Sequence, residues 1–139
     1  MGPESRRSAG ILLIVLPTVI FGGVSILSLL LSPQSGYMNN PLRQNLWRAG
    51  HAHAGVFLIL SLVALRYVDE AVLSNRAKSF VRWALPAAAI LLPVAFFLSV
   101  LSPNAAQPNG LIYLAYAGAL VLATGLITLG VGLIRKVRQ

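Results

Sequence analysis

Cysteine is absent from the 139 residues, which excludes disulfides, thiolate metal sites, iron–sulfur ligation and a cysteine nucleophile. Acidic side chains are scarce: three Asp/Glu stand against eleven Lys/Arg, for a formal net charge of +8. Charged residues of both signs make up 10% of the chain, where a soluble domain carries roughly 25%. So few charges cannot cover a soluble globular surface. A composition that is 57% hydrophobic, with a mean hydropathy of +0.78, also excludes intrinsic disorder. Basicity alone fits nucleic acid, but these cations lie between long apolar runs and not on one polar face, so no nucleic-acid partner is expected. An integral membrane protein remains, with the lipid bilayer as its first partner.

The uncharged runs count the crossings. Residues 8–42, 49–65 and 83–134 carry no acidic or basic side chain apart from histidine. The last run is divided by Ser102-Pro103-Asn104-Ala105-Ala106-Gln107-Pro108-Asn109-Gly110, where two prolines among polar residues mark a loop. A bilayer core of ~30 Å takes ~20 helical residues. Four spans are expected, near 10–31, 46–67, 83–101 and 111–134. The first is too long for the apolar core of a signal peptide, and no small-residue cleavage site follows it. Open strand edges cannot exist in lipid, and these runs lack barrel alternation, so the fold class is all-α: a four-helix transmembrane bundle, one domain over 1–139. Bends are expected at Pro17 in the first span and at Pro86 and Pro93 in the third.

With four spans, both termini share a side with the connection between the second and third helices. That side holds Arg6, Arg7, Arg66, Arg76, Lys78, Arg82, Arg135, Lys136 and Arg138, and the opposite side only Arg43 and Arg48. Lys and Arg favour the cytoplasm, so the termini are expected inside, in a multi-pass protein of the plasma membrane. The basic clusters then face anionic head groups. Asp69 and Glu70 sit beside Arg66 and are expected to form surface pairs. Tyr37, Trp47, Tyr67, Trp83 and Tyr113 read as an interfacial aromatic belt. The outer segment 32–45 is long enough to pack over the mouth of the bundle. Ala115, Ala119 and Ala123, with Gly118, Gly125, Gly130 and Gly132, are small residues that allow close helix approach, for packing first and for a homo-oligomer second.

Both histidines fall in Leu46-Trp47-Arg48-Ala49-Gly50-His51-Ala52-His53-Ala54-Gly55, ~6–9 Å inward from Trp47 at 1.5 Å per residue. Ionisable groups at such depth usually face a bundle interior or an aqueous cavity. Residues i and i+2 point ~200° apart on a helix, so His51 and His53 cannot chelate one metal together and must address different neighbours. Three readings stand side by side. The pair bonds to loop carbonyls or water; at least one histidine holds a cofactor or metal ion; or they line a proton or ion path. Arg48 shares the face of His51 and suits an anionic ligand group such as a propionate or phosphate. Gly50, Ala52, Ala54 and Gly55 remove bulk around them, which serves helix packing as well as a flat ligand. Tyr116 is a candidate hydrogen-bond partner for a histidine. No glycine-rich phosphate loop, Ser/His/Asp triad or paired intramembrane carboxylate is present, which argues against hydrolases and nucleotide-driven machines.

The stretch Arg48-Ala49-Gly50-His51, followed by an apolar helix ending Leu65-Arg66-Tyr67, resembles the second transmembrane helix of haem-copper oxidase large subunits, nitric oxide reductases above all. There Arg-x-x-His supplies an axial ligand to a low-spin haem b near the outer face. The resemblance implies that His51 is the haem ligand and Arg48 the matching arginine; His53 has no counterpart. It covers some 25 residues. Those subunits have about twelve helices and several further histidines, whereas this chain has two in all, so a dinuclear catalytic centre is not possible within one copy. The Arg48 to Gly55 stretch also resembles small bacterial four-helix membrane proteins, a likeness that implies no activity. The expected function is haem or metal binding near the outer face for electron transfer or haem handling. Arg48, His51, His53 and Tyr116 are then the cofactor residues, with His51 and His53 as the metal donors. Met38, an exchangeable small molecule, or His53 of a second chain completes the axial pair. The alternatives are a non-catalytic subunit of a larger membrane complex, or a small-molecule or ion pathway.

Overall fold

The computed structural model describes residues 1–135. Lys136 and Arg138, two of the basic residues counted above, lie outside the described residues. The described chain is all-helical: α1 (Pro3–Val15), α2 (Pro17–Leu30), α3 (Pro41–Val68), α4 (Asn75–Ser99) and α5 (Leu114–Ile134), with short 3₁₀ turns at Pro33–Ser35, Tyr37–Asn39 and Gly110–Tyr113. Four stretches, Pro3–Leu30, Pro41–Val68, Asn75–Ser99 and Gly110–Ile134, are long and apolar enough to cross a bilayer. The chain is thus a multi-pass membrane protein built as a four-helix bundle.

The first three spans start several residues before their apolar parts, at Pro3, Pro41 and Asn75, because backbone hydrogen bonding continues past the hydrocarbon edge until a cap stops it. Asn40 Oδ1 accepts from Arg43 N at 3.0 Å to start α3, and Pro41 fits the first turn, where its missing N–H costs nothing. Ser74 Oγ caps α4 by accepting from Ala77 N at 3.3 Å. Pro17 divides the first span, as expected. Val19 N turns to Leu16 O at 3.0 Å, and the Thr18 hydroxyl donates to Val15 O at 2.8 Å, so a carbonyl freed by the break finds a partner. By contrast, α4 runs unbroken through Pro86 and Pro93. It is packed between α3 and α5 along its length, and it stays one element although each proline removes a backbone donor.

The helices form a curled row. The first span packs on α3, α3 on α4 and α4 on α5, while the first span and α5 do not touch. The central helix α4 is therefore the most buried, through Val81, Ala84, Leu85, Ala88, Ala89, Leu92 and Ala95. One apolar cluster joins Ala64 and Val68 of α3, Val81 and Leu85 of α4, and Leu129 of α5. A second joins Leu12 to Leu58, Leu65 and Ala89. On α5 the buried small residues are Gly118, Gly125 and Gly132, a seven-residue repeat pressed on α4 and the turn before it. Ala119 and Ala123 of the expected alanine stripe face outward.

The end of the bundle that carries the N terminus and the α3–α4 connection, here the basal end, holds a polar cluster. Arg82 of α4 donates from Nη2 to Asp69 Oδ1 at 2.8 Å, from Nε to Ser5 Oγ at 3.0 Å, and from Nη1 to Glu4 Oε2 at 2.5 Å. Gly2 N–H donates to Asp69 Oδ2 at 2.6 Å. Asp69 is thus no surface partner of Arg66: α3 ends at Val68, and Asp69 turns inward to clamp α1 to α4. Glu70 alone pairs with Arg66, at 2.6 Å and exposed. Burial raises the Asp69 pKa, but the hydrogen bonds from Gly2, Arg82 and Ser5 and the Arg82 charge outweigh it and bring it to about 2.

Candidate functional site

The opposite end, here the histidine end, is organised by the first four turns of α3. The 32–40 connection does pack over it. Gln44 Nε2 donates to Tyr37 O at 3.0 Å and Met38 O at 3.1 Å, and Asn40 Nδ2 reaches across to Pro103 O and Ala105 O, each at 3.0 Å. The two loops are thereby tied together. Tyr37 is 1% exposed, which removes it from the aromatic belt. Its ring lies 6.0 Å from that of Trp47, and Trp47 meets Phe97 of α4 edge-on at 5.5 Å. Arg43, also buried, stacks its guanidinium 4.4 Å from the Trp47 ring centre. Burial pushes the Tyr37 hydroxyl above the usual phenol range, against the pull of the Arg48 and Arg43 charges.

One turn further on, Gly50 lets α3 close on α4: a Cβ there would lie 3.1 Å from the Phe97 ring and 3.3 Å from Phe96 Cβ. The two histidines diverge, as their spacing requires. His51 turns to α2, where a Cβ on Gly23 would stand 3.0 Å from its Cε1 and 3.1 Å from its Nε2, and one on Gly22 would stand 3.7 Å from its Nδ1. The imidazole takes the space of a missing side chain at Gly23, whereas a Cβ on Gly22 would make an ordinary contact. Val19, Ile20, Gly23, Val24 and Leu27 complete an apolar groove of about 450 Å³ beside it. His51 makes no hydrogen bond to any described residue.

His53 turns the other way, edge-on to Phe57 at 5.2 Å and to Phe96 of α4 at 5.3 Å. Its Nδ1 lies 2.6 Å from Ala49 O. A carbonyl only accepts, so the neutral ring carries its proton on Nδ1 and its lone pair on Nε2. A small recess of about 150 Å³ is lined by His53 with Ala52, Val56 and Phe57, and Ala52 and Val56 are exposed. A bond of this kind, from one ring nitrogen to a backbone carbonyl, also orients imidazoles that bind metals through the other nitrogen.

The other expected residues are not gathered at the histidines. Arg48 stays exposed and bonds within its own helix, to Gln44 O at 3.2 Å and Asn45 Oδ1 at 2.9 Å. Tyr116 is 73% exposed and stacks on Tyr113 at 6.1 Å, with no hydrogen bond to either histidine. Met38 lies exposed on the loop. Among the described residues no three His, Cys, Asp or Glu side chains come together. Sequence reasoning passed over Arg43 as a residue of interest, although its four-residue spacing from Trp47 places the two on one helix face. Comparison of the chain with protein-family profiles, curated proteins and solved structures finds no match.

Proposed function

We propose that this protein lies in the plasma membrane with both termini cytoplasmic and binds haem, of the b type that the sequence resemblance implies, or a metal ion. The site is at its outer end, and the role is electron transfer or haem handling. The observation that carries the reading is the Ala49 bond to His53, which fixes the ring and leaves Nε2 free as a donor beside exposed small and apolar side chains. The geometry favours His53 over His51, the residue to which the resemblance points. The His51 ring is wedged against Gly23 of α2 and has no hydrogen bond to orient it, although a larger apolar groove of about 450 Å³ lies beside it. A bound haem would supply one-electron chemistry, and the chain would supply orientation and an apolar surround. One donor per chain calls for a second from elsewhere, so a homo-oligomer with His53 contributed by each of two copies is part of this reading. Arg48, exposed at the same end, is available to an anionic edge of the ligand.

An absorption spectrum of the purified protein, oxidised and then reduced with dithionite, tests it. A Soret band that sharpens on reduction is expected in wild type and in His51→Ala, and its loss is expected in His53→Ala. A colourless preparation that takes up no added haem or metal, or a spectrum unchanged in His53→Ala, would sink the reading.

Orientation has its own test, made simple by the cysteine-free chain. A membrane-impermeant maleimide applied to intact cells is expected to label Asn104→Cys and to leave Arg76→Cys unlabelled until the cells are opened. The reverse pattern would invert the topology. Both positions are exposed.

A further inference from the structure

Among the described residues, three buried side-chain atoms lack a hydrogen-bond partner: Tyr37 Oη, Arg43 Nε and Trp47 Nε1. They belong to side chains in one neighbourhood, with the Trp47 ring 6.0 Å from that of Tyr37 and 4.4 Å from the Arg43 guanidinium carbon. Buried polar groups are almost always bonded, so three orphans in one cluster are not a random lapse in packing. Two of the three can only donate, and the phenol can also accept. The indole N–H and the guanidinium N–H therefore cannot answer each other.

Charge narrows the occupant further. Arg43 is 6% exposed; its Nε is buried and unpaired, its terminal nitrogens reach the edge of the cluster, and a cation so largely withdrawn from water favours an anionic partner. The chain's three acidic residues, Glu4, Asp69 and Glu70, are all at the basal end, where they pair with Arg82 and Arg66. Cation stacking on Trp47 eases the deficit without neutralising it. Water would satisfy the indole and the phenol but would leave the charge unmatched. The missing partner must offer several acceptor oxygens and a negative charge, at the depth where α3 enters the bilayer. An open cavity of about 470 Å³ is lined by the chain neighbours of these residues, Gly36, Asn39, Asn40 and Leu42, together with residues 103–106 of the facing loop.

We propose that Tyr37, Arg43 and Trp47 form a binding site for a phosphate oxyanion, either the phosphodiester head group of an anionic lipid or free phosphate. The site is separate from the histidines and does not depend on what they hold. Its occupant would fasten the 32–40 loop to the start of α3.

Thermal unfolding of the full chain, delipidated in detergent, tests this with two probes. One is dioleoylphosphatidylglycerol; the other is inorganic phosphate against chloride at equal ionic strength. A rise in melting temperature of about 5 °C near saturation is expected with at least one probe. A rise with the lipid alone assigns the site to a head group, and a rise with inorganic phosphate assigns it to the free ion. The rise should vanish in Arg43→Gln and fall by more than half in Tyr37→Phe, which removes one oxygen and keeps the packing. If Arg43→Gln does not fold, Tyr37→Phe and Trp47→Phe decide. No rise with either probe overturns the proposal, and so does a rise that persists undiminished in these variants, which would report surface charge only. Repeating the titration in His53→Ala should give the wild-type response; loss of the response there would tie the anion to the histidine ligand and overturn the separate site.

Discussion

Gly125→Leu is expected to lower the melting temperature by roughly 10 °C, the largest effect of any single substitution on α5. Gly118, Gly125 and Gly132 form the surface on which α5 closes against the rest of the bundle, but they differ in what an added Cβ would meet. At Gly118 the nearest atom is Leu92 Cδ1 at 2.4 Å, a leucine end that can rotate away, with Leu91 Cβ further off at 3.1 Å; at Gly132 it is Leu73 Cγ at 2.5 Å, which moves with the first side-chain torsion. At Gly125 the obstacle includes Ala84 Cβ at 2.9 Å, an atom fixed to the backbone of α4. A leucine there must push the two helices apart, with loss of the Val81, Leu85 and Leu129 contacts next to it. Association in lipid rests on such close packing, since no hydrophobic drive brings apolar helices together. Gly130, with nothing within 4 Å of an added Cβ, is the internal control. Thermal unfolding in detergent should show Gly130→Leu near wild type. Equal melting of the two variants would mean that α5 does not close on α4 through this repeat.

The second large effect belongs to Asp69. Its carboxylate holds Gly2 N–H and Arg82 together, so Asp69→Ala leaves the Arg82 guanidinium, 11% exposed, with only the exposed Glu4 carboxylate for a counter-charge. Removing the shared carboxylate of this part-buried pair, and with it the Gly2 bond, costs about 2 kcal/mol. The same group predicts a pH dependence whose sign follows from its lowered pKa. An Asp that titrates near 2 when folded, and near 3.9 when unfolded, adds stability above the unfolded value and loses it as pH falls toward the folded one. About 2 kcal/mol should disappear between roughly pH 5 and pH 2. Asp69→Asn should abolish that slope while keeping the shape of the side chain. Denaturant unfolding across this window reads both effects, and an unchanged acid slope in Asp69→Asn would remove Asp69 from the clamp.

Much of this arrangement is legible in the residue order. Long uncharged runs reveal four crossings because lipid excludes charge, and Pro17 announces a break because proline lacks the donor that the helix needs. The divergence of His51 and His53 follows from 3.6 residues per turn. What stays hidden depends on neighbours distant along the chain. Asp69 stands three residues from Arg66 and reads as its partner, yet α3 ends at Val68 and the turn delivers Asp69 to Arg82 instead. Tyr37 has the composition of a belt residue and is buried only because the loop folds back over α3. Arg43 counts as a topology signal until Trp47 and Tyr37 are seen around it. Gly23 carries no periodic signal, since its purpose lies in an imidazole of another helix. Tyr116 sits at a depth suited to the histidines but on a face of α5 that turns away from them.

The break at Pro17 gives the first span unequal halves. Its α1 half is fastened at the basal end through Gly2, Glu4 and Ser5 and by Leu12 in the apolar cluster. Its α2 half buries a single residue, Ile26, and is held by Val19 against the apolar cluster, by Gly23 under the His51 ring and by the Ser35 hydroxyl, which donates to Leu29 O at 2.9 Å. The span therefore has a clamped base and, beyond the interrupted helix at residues 16 and 17, a less buried outer arm. That arm has fewer buried contacts to lose, so hydrogen exchange is expected to be faster in residues 19–30 than in residues 6–15.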